Sequence, residues 1–230
     1  MRLTESPTYV GGHLECILRN VFVVGVRAGK AIRAVSLMIG VVLLSACSTV
    51  GEVKTSSPEV ERQWVTHQQD LEQFRSWVIS GRLGIQAEDE GWHVSFRWQQ
   101  GDAELYHINL SGPLGQESAE LQGTAHGVTL LLPDGHSVSA LDPDELLERQ
   151  FGWHLPVKGL YYWVRGLPMP HAAETHALDD RGRLYWLKQA GWHISYRRYG
   201  DVAGKAFPTK IYLDSPQVKV RLVIDEWTLS

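Results

Sequence analysis

Cys47 is the side chain of this sequence best placed for covalent chemistry. It closes Leu43-Leu44-Ser45-Ala46-Cys47, which matches a lipobox: small Ser45 and Ala46 suit a signal peptidase pocket, and the cysteine that becomes N-terminal takes lipid on its thiol. The apolar run from Ala34 to Ala46 follows Arg27, Lys30 and Arg33 and is far short of the roughly 20 residues that cross a bilayer, so it is read as a signal-peptide core. The chain is therefore expected to divide into an N-terminal extension (1–25), a lipoprotein signal peptide (26–46), a flexible tether (47–58) of Ser, Thr, Gly, Glu, Lys and Pro, and one domain (59–230). Residues 1–25 contain Glu5 and Glu15 and no basic cluster. They are read as an over-extended reading frame, with translation starting near Val24 or Val26.

Little else in the chain resembles a reaction centre. There is no G-x-S-x-G elbow, H-E-x-x-H pair, P-loop or dinucleotide-binding glycine fingerprint, so the usual hydrolase and nucleotide chemistries have no support and no catalytic residue is assigned. Nine histidines beyond residue 46 are scattered. His171 and His176 come closest to a ligand pair, and solvated loop histidines are the better reading. Asp142 with Asp144, and Asp179 with Asp180, are explained by a helix N-terminus and a turn. Once residues 1–46 are removed, Cys47 is the only cysteine and its thiol is used by acylation, which excludes an intrachain disulfide and a cysteine metal site. No metal or other cofactor is expected.

Residues 1–46 hold five of the 22 basic and two of the 26 acidic side chains, which leaves 17 against 24 and a formal charge of −7. An acidic chain without a basic stripe is a poor nucleic-acid binder, and no nucleic-acid partner is expected. All nine tryptophans lie beyond the tether. That density is explained either by a lined cavity or by an ordinary Trp-rich β core.

The elements that position these residues are mostly strands. Val60, Trp64, His67, Leu71, Phe74 and Trp77, spaced by three and four, predict an amphipathic helix from Pro58 to Trp77, stopped before Gly81. From Val78 the period becomes two. Trp92, Val94, Phe96 and Trp98 share one face of a strand at Gly91–Gln99, and Tyr106, Ile108 and Leu110 point inward from Glu104–Ser111. Further strands are expected at 117–122, 127–132 and 136–140. Asp142-Pro143 then opens a helix that Gly152 stops, and a second helix runs from Pro156 to about Arg165, followed by a loop to Asp180. Strands return at 183–189, 192–199, 208–213 and 217–229, the last with a β-bulge between Val223 and Glu226 that brings Trp227 and Leu229 back to the core side. The turn Gly112-Pro113-Leu114-Gly115 shows Leu114 at its tip, where it either tucks onto a neighbouring strand or dips into acyl chains or a partner's groove.

Taken in order, Cys47 at its lipobox, Trp64-x-x-His67-Gln68, Gly81-Arg82, Trp98-Gln99, Gly112-Pro113-Leu114-Gly115, Leu155-Pro156, Trp163-x-x-Gly166-Leu167-Pro168 and Asp225-x-Trp227 resemble the LolB family of outer-membrane lipoprotein acceptors. The resemblance covers nearly the whole chain after Cys47, and residues 1–25 have no counterpart in it. It implies a mainly β fold, an open antiparallel half-barrel closed by helices over an apolar cavity. It also implies a protein that is not an enzyme, lipid-anchored through Cys47 at the periplasmic face of the outer membrane and expected to be a monomer. Such a protein takes acylated lipoprotein cargo from a periplasmic carrier of the LolA type and passes it to outer-membrane lipids. On this reading Leu114, in its Gly112, Pro113 and Gly115 turn, serves membrane insertion. The candidate cavity residues are Trp98, Trp163, Trp192 and Trp227, with Phe96, Tyr106 and Leu110 beside them. A free-lipid-binding lipoprotein of the same fold is the alternative, and an envelope hydrolase a more distant one.

Overall fold

Period-two burial dominates the computed structural model, which describes residues 56–87, 90–101, 104–112, 118–152 and 154–230. The strands are β1 (Trp77–Ala87), β2 (Glu90–Gln100), β3 (Tyr106–Ser111), β4 (Ser118–Thr124), β5 (Gly127–Leu131), β6 (Ser137–Ala140), β7 (Glu174–Leu178), β8 (Leu184–Gln189), β9 (Trp192–Val202), β10 (Lys205–Asp214) and β11 (Val218–Leu229). The helices are α1 (Pro58–Glu72), α2 (Pro143–Phe151) and α3 (Val157–Trp163). Among the described residues the strands form one antiparallel sheet in the order β6-β5-β4-β3-β2-β1-β11-β10-β9-β8-β7. Two antiparallel meanders thus meet where the first strand pairs with the last. With β6 and β7 at its two edges, the sheet stays open.

Helices cover one face of it. Tyr161, Trp163 and Val164 pack with Trp77, Ile79, Phe96, Ile194, Ile211 and Ile224 in the main core, and Leu146, Leu147 and Val157 pack on Leu121, Val128 and Leu130. The caps match the sequence. Asp142 accepts hydrogen bonds from the Asp144 and Glu145 amides, and Gly152 closes α2 with φ 77°, a left-handed geometry that suits glycine. Helix α1 begins with Ser57, whose hydroxyl accepts from the Val60 amide, and lies across the other half of the sheet. Its Asp70 meets Lys205 of β10 at 2.6 Å, and its Trp64 ring lies 5.9 Å from His176 of β7.

The expected bulge is present. Ser80 pairs with Glu226 and Gly81 with Ile224, so Asp225 is the extra residue, and Trp227 and Leu229 pack against the core. Gly81 sits opposite this bulge, where a Cβ would fall 2.0 Å from the Val223 carbonyl oxygen. Glycine at position 81 is therefore a matter of close backbone approach within a strand, not of helix termination.

Three expectations are corrected. The first helix ends at Glu72, not Trp77: Phe74 and Trp77 continue the helical spacing by coincidence, and Trp77 opens β1 between Gln100 and Leu229, fully buried. The stretch read as a loop to Asp180 contains β7, which is too short and too polar at Glu174, Thr175 and His176 to show a strand pattern. Strands β9 and β10 run on to Val202 and from Lys205, joined through Ala203 and Gly204, both at positive φ.

Gly81→Ala is expected to cost about 1–3 kcal/mol, the usual range for overpacking, because the β1–β11 backbones must separate. Urea unfolding of the variant beside the parent protein measures this loss.

Candidate functional site

Helix α3 is held over the sheet by a buried glutamine. Gln189, at the end of β8, accepts hydrogen bonds on Oε1 from the Trp163 indole (2.9 Å) and the Met169 amide (2.8 Å). Its Nε2 donates to the carbonyls of Met169 (2.9 Å) and Ala172 (3.3 Å). Two donors and two lone-pair directions are all used, which is what a buried primary amide requires. The Tyr196 hydroxyl donates to the Trp163 carbonyl at 3.1 Å from the neighbouring strand. With the end of α3 fixed there, Tyr161 and Tyr162 project over the other half of the sheet.

Between that half and the helices lies a cavity of about 540 Å³, within the range of small-molecule sites. Trp98 and Tyr106 line its sheet side together with Val128, and Val157, Tyr161 and Tyr162 its helix side. The Trp98 indole donates to Gln100 Oε1 at 2.9 Å, so its polar edge is satisfied and its ring remains an apolar wall. Tyr106 lies flat over Gly123, where a Cβ would fall 2.1 Å from the ring. Its hydroxyl is buried with no hydrogen-bond partner, and burial pushes its pKa up. Charges stay at the margin. Lys158 pairs with Asp142 at 2.9 Å, and the hydrogen bond from Lys158 holds the Asp142 carboxyl below its ordinary value. Asp144 is pushed up by burial while accepting the Val157 amide at 2.8 Å, which ties α2 to α3.

A second cavity, of about 680 Å³, shares Tyr161, Tyr162 and Pro170 with the first but is otherwise lined by Glu72, Arg75, Arg165, Leu167 and Pro168. Arg165 is buried, with its guanidinium 4.0 Å from the Tyr161 ring centre. It donates to the carbonyls of Tyr161 (3.0 Å) and Phe74 (3.1 Å), and burial lowers its pKa. Both Tyr161 and Tyr162 are thus partition residues. The first compartment can hold an apolar group. Among the described residues, no three His, Cys, Asp or Glu side chains come together to hold a metal.

Of the candidate cavity residues named from the sequence, the structure brings Trp98 and Tyr106 together here. Trp163 is instead fully buried under α3, its ring folded back on Gly159, and Trp192 packs 6.4 Å from it in the core. Phe96 is a core residue, and Leu110 is half-buried against that core. Trp227 packs on Trp77 and Phe207, with its indole donating to the Pro208 carbonyl at 3.0 Å. For Trp163 and Trp192 the reason is that Trp163 anchors the helix, and the residues just before it in sequence, Tyr161 and Tyr162, line the open space. Their adjacency to Trp163 was the available signal. Cys47, Pro113, Leu114 and Gly115 lie outside the described residues, and Gly112 follows β3 half-buried. His171 is exposed, whereas His176 belongs to β7, 3.3 Å from Glu174.

A family model described as "Outer membrane lipoprotein LolB" matches residues 75–227. A protein of Nitrosococcus oceani named outer-membrane lipoprotein LolB is 39% identical over 194 residues, covering 84% of this chain and 96% of the relative. Its namesake in Pseudomonas paraeruginosa is 37% identical over 186 residues, covering 80% and 90%. Among solved structures, a LolA superfamily protein from Nitrosomonas europaea superposes with a TM-score of 0.48 at 8% identity, covering 76% of this chain and 94% of that one.

Tyr106→Phe removes an unpaired buried hydroxyl and keeps the ring. Since such a group costs about 1–3 kcal/mol, the variant is expected to be more stable by about 1 kcal/mol, read as a higher urea midpoint at unchanged slope.

Proposed function

The chain belongs to the LolB family of outer-membrane lipoproteins, and from that premise we propose that it receives acylated lipoproteins from a periplasmic carrier and inserts them into the outer membrane. Family membership places it at the outer membrane as a lipoprotein. We assign residues 26–46 to the signal peptide, Cys47 to the lipid anchor, residues 47–58 to the tether and residues 59–230 to the cargo-binding domain.

The observation that carries this reading is the cavity walled by Trp98, Val128, Val157 and Tyr161, with its charges at the margin. An acylated protein in an aqueous compartment must hide chains whose burial is worth about 0.8 kcal/mol per CH₂. An apolar concavity under two short helices supplies that shelter. Transfer from carrier to acceptor to bilayer then needs only successively tighter binding, at about 1.4 kcal/mol for each tenfold step, and no nucleotide. Leu114 is assigned to contact with the bilayer at release.

A liposome assay supplied with carrier-bound lipoprotein tests the reading, because it reports uptake and release separately. A protein that co-purifies with free phospholipid and refuses lipopeptide would instead be a lipid carrier of the same fold.

Two variants separate the parts. Cys47→Ala is expected to leave a soluble periplasmic protein that still accepts cargo, checked by fractionation and by capture of carrier-bound lipoprotein. Leu114→Glu is expected to take up cargo normally and to fail at release, since a carboxylate resists hydrocarbon. Its thermal stability should change by no more than about 0.5 kcal/mol, as for other exposed substitutions. Normal release by this variant, or a large loss of stability, would remove Leu114 from the mechanism.

A further inference from the structure

One end of the first cavity carries apolar surface that the fold does not use. Leu141, at the corner between β6 and α2, is 87% exposed and yet lines the cavity. Leu105, 51% exposed, stands between Glu104 and Tyr106, which also line it. Single exposed leucines are common on protein surfaces and carry no meaning alone. Leu141 differs in being continuous with the cavity wall on one side and open to water on the other.

The corner is held in place. The Leu105 carbonyl accepts hydrogen bonds from the Gly101 amide (2.7 Å) and Gln100 Nε2 (3.4 Å), which ties Leu105 to the end of β2. Gly127 at the start of β5 approaches the β6 end so closely that a Cβ would fall 2.5 Å from the Ala140 carbonyl oxygen and 3.5 Å from the Leu141 Cα. Strand register puts these turns at one end of the sheet half: Gln100 pairs with Tyr106, Tyr106 with Gly123, Thr124 with Gly127 and Val128 with Ala140. Polar Glu104, His126 and Lys158 complete the rim. Residues 113–117 connect the opposite ends of β3 and β4, beyond the Ser111–Ser118 pair.

We propose that this rim is the cavity's portal, and that the acyl chains of a lipidated peptide enter and leave across Leu141, with Leu105 as a second apolar step. This rests on the reading of the cavity as an acyl-chain site. A chain leaving the aromatic wall slides onto leucine before it meets water, so Leu141 lowers the barrier to exchange in both directions. Its effect falls on rates and hardly on the bound state, which Trp98 and Tyr161 hold. The portal then lies at the strand ends away from the Ser111–Ser118 pair, and loading does not depend on the residues that join β3 to β4.

The test uses the full chain carrying Cys47→Ala, so that no anchored membrane competes, with a synthetic triacylated lipopeptide as probe and tryptophan emission as readout in stopped flow. Leu141→Glu is expected to slow loading and release alike by at least about fivefold, with Kd within about twofold and an unchanged melting temperature. Leu105→Glu should act in the same direction. Leu131→Glu, on an exposed position of β5 that does not line the cavity, should exchange at the parent rate. Parent-like exchange by Leu141→Glu, or equal slowing by Leu131→Glu, overturns the portal while leaving the cavity reading intact. A parent protein that binds diacyl phospholipid and not lipopeptide overturns the assigned occupant, and one that binds neither overturns the cavity reading and the portal with it.

Discussion

The four hydrogen bonds of Gln189 are the constraint on which the rest of the arrangement depends. They join β8, the end of α3 and the 169–172 segment in one buried node. Removing any partner would strand a buried amide or indole donor, so the node is all-or-none in the sense that partly satisfied polar networks are worse than none. The distance it sets between helix and sheet decides what is core and what is cavity. On the β8–β9 side, Trp163 reaches the sheet and fills the interior. On the β2–β5 side, the helix carries tyrosines that stop short, and space remains.

The same logic explains two kinds of tryptophan. Gly91-Trp92-His93-Val94-Ser95-Phe96 and Gly191-Trp192-His193-Ile194-Ser195-Tyr196 are nearly the same words in the sequence. Trp192 is 3% exposed because Trp163 lies over it, whereas Trp92, at the outer end of β2, is 40% exposed. Local pattern told which face each ring takes. It could not tell which part of that face a helix covers, since that is decided by a contact 26 residues away, between Trp163 and Gln189.

Much of the fold was legible for this reason, and the site less so. Period-two alternation and turn residues located most of the described strands, and the parity break at Trp227 located the Asp225 bulge, because both are properties of consecutive side chains. Phe74 and Trp77 misled because helical spacing persists by chance into a strand whose first residue is deeply buried. Of the residues that line the first cavity, Trp98 and Tyr106 follow from strand parity, while Tyr161, Tyr162 and Leu141 line it because of how α3 and the β6–α2 corner dock. Gln100 and Gln189 were invisible, since a buried glutamine is justified by the partners it satisfies, an indole in each case among them, and those are set by the tertiary fold.

The open sheet ends on two short strands, four residues at β6 and five at β7. An unpaired edge is a template for another chain, and brevity together with Ser137, Ser139, Glu174 and His176 blunts it. For a lipoprotein this has a bearing that a freely diffusing molecule would not feel. Tethering to a surface confines neighbours to two dimensions and raises their encounter frequency. Edges this short and this polar offer neighbouring copies little backbone to pair with.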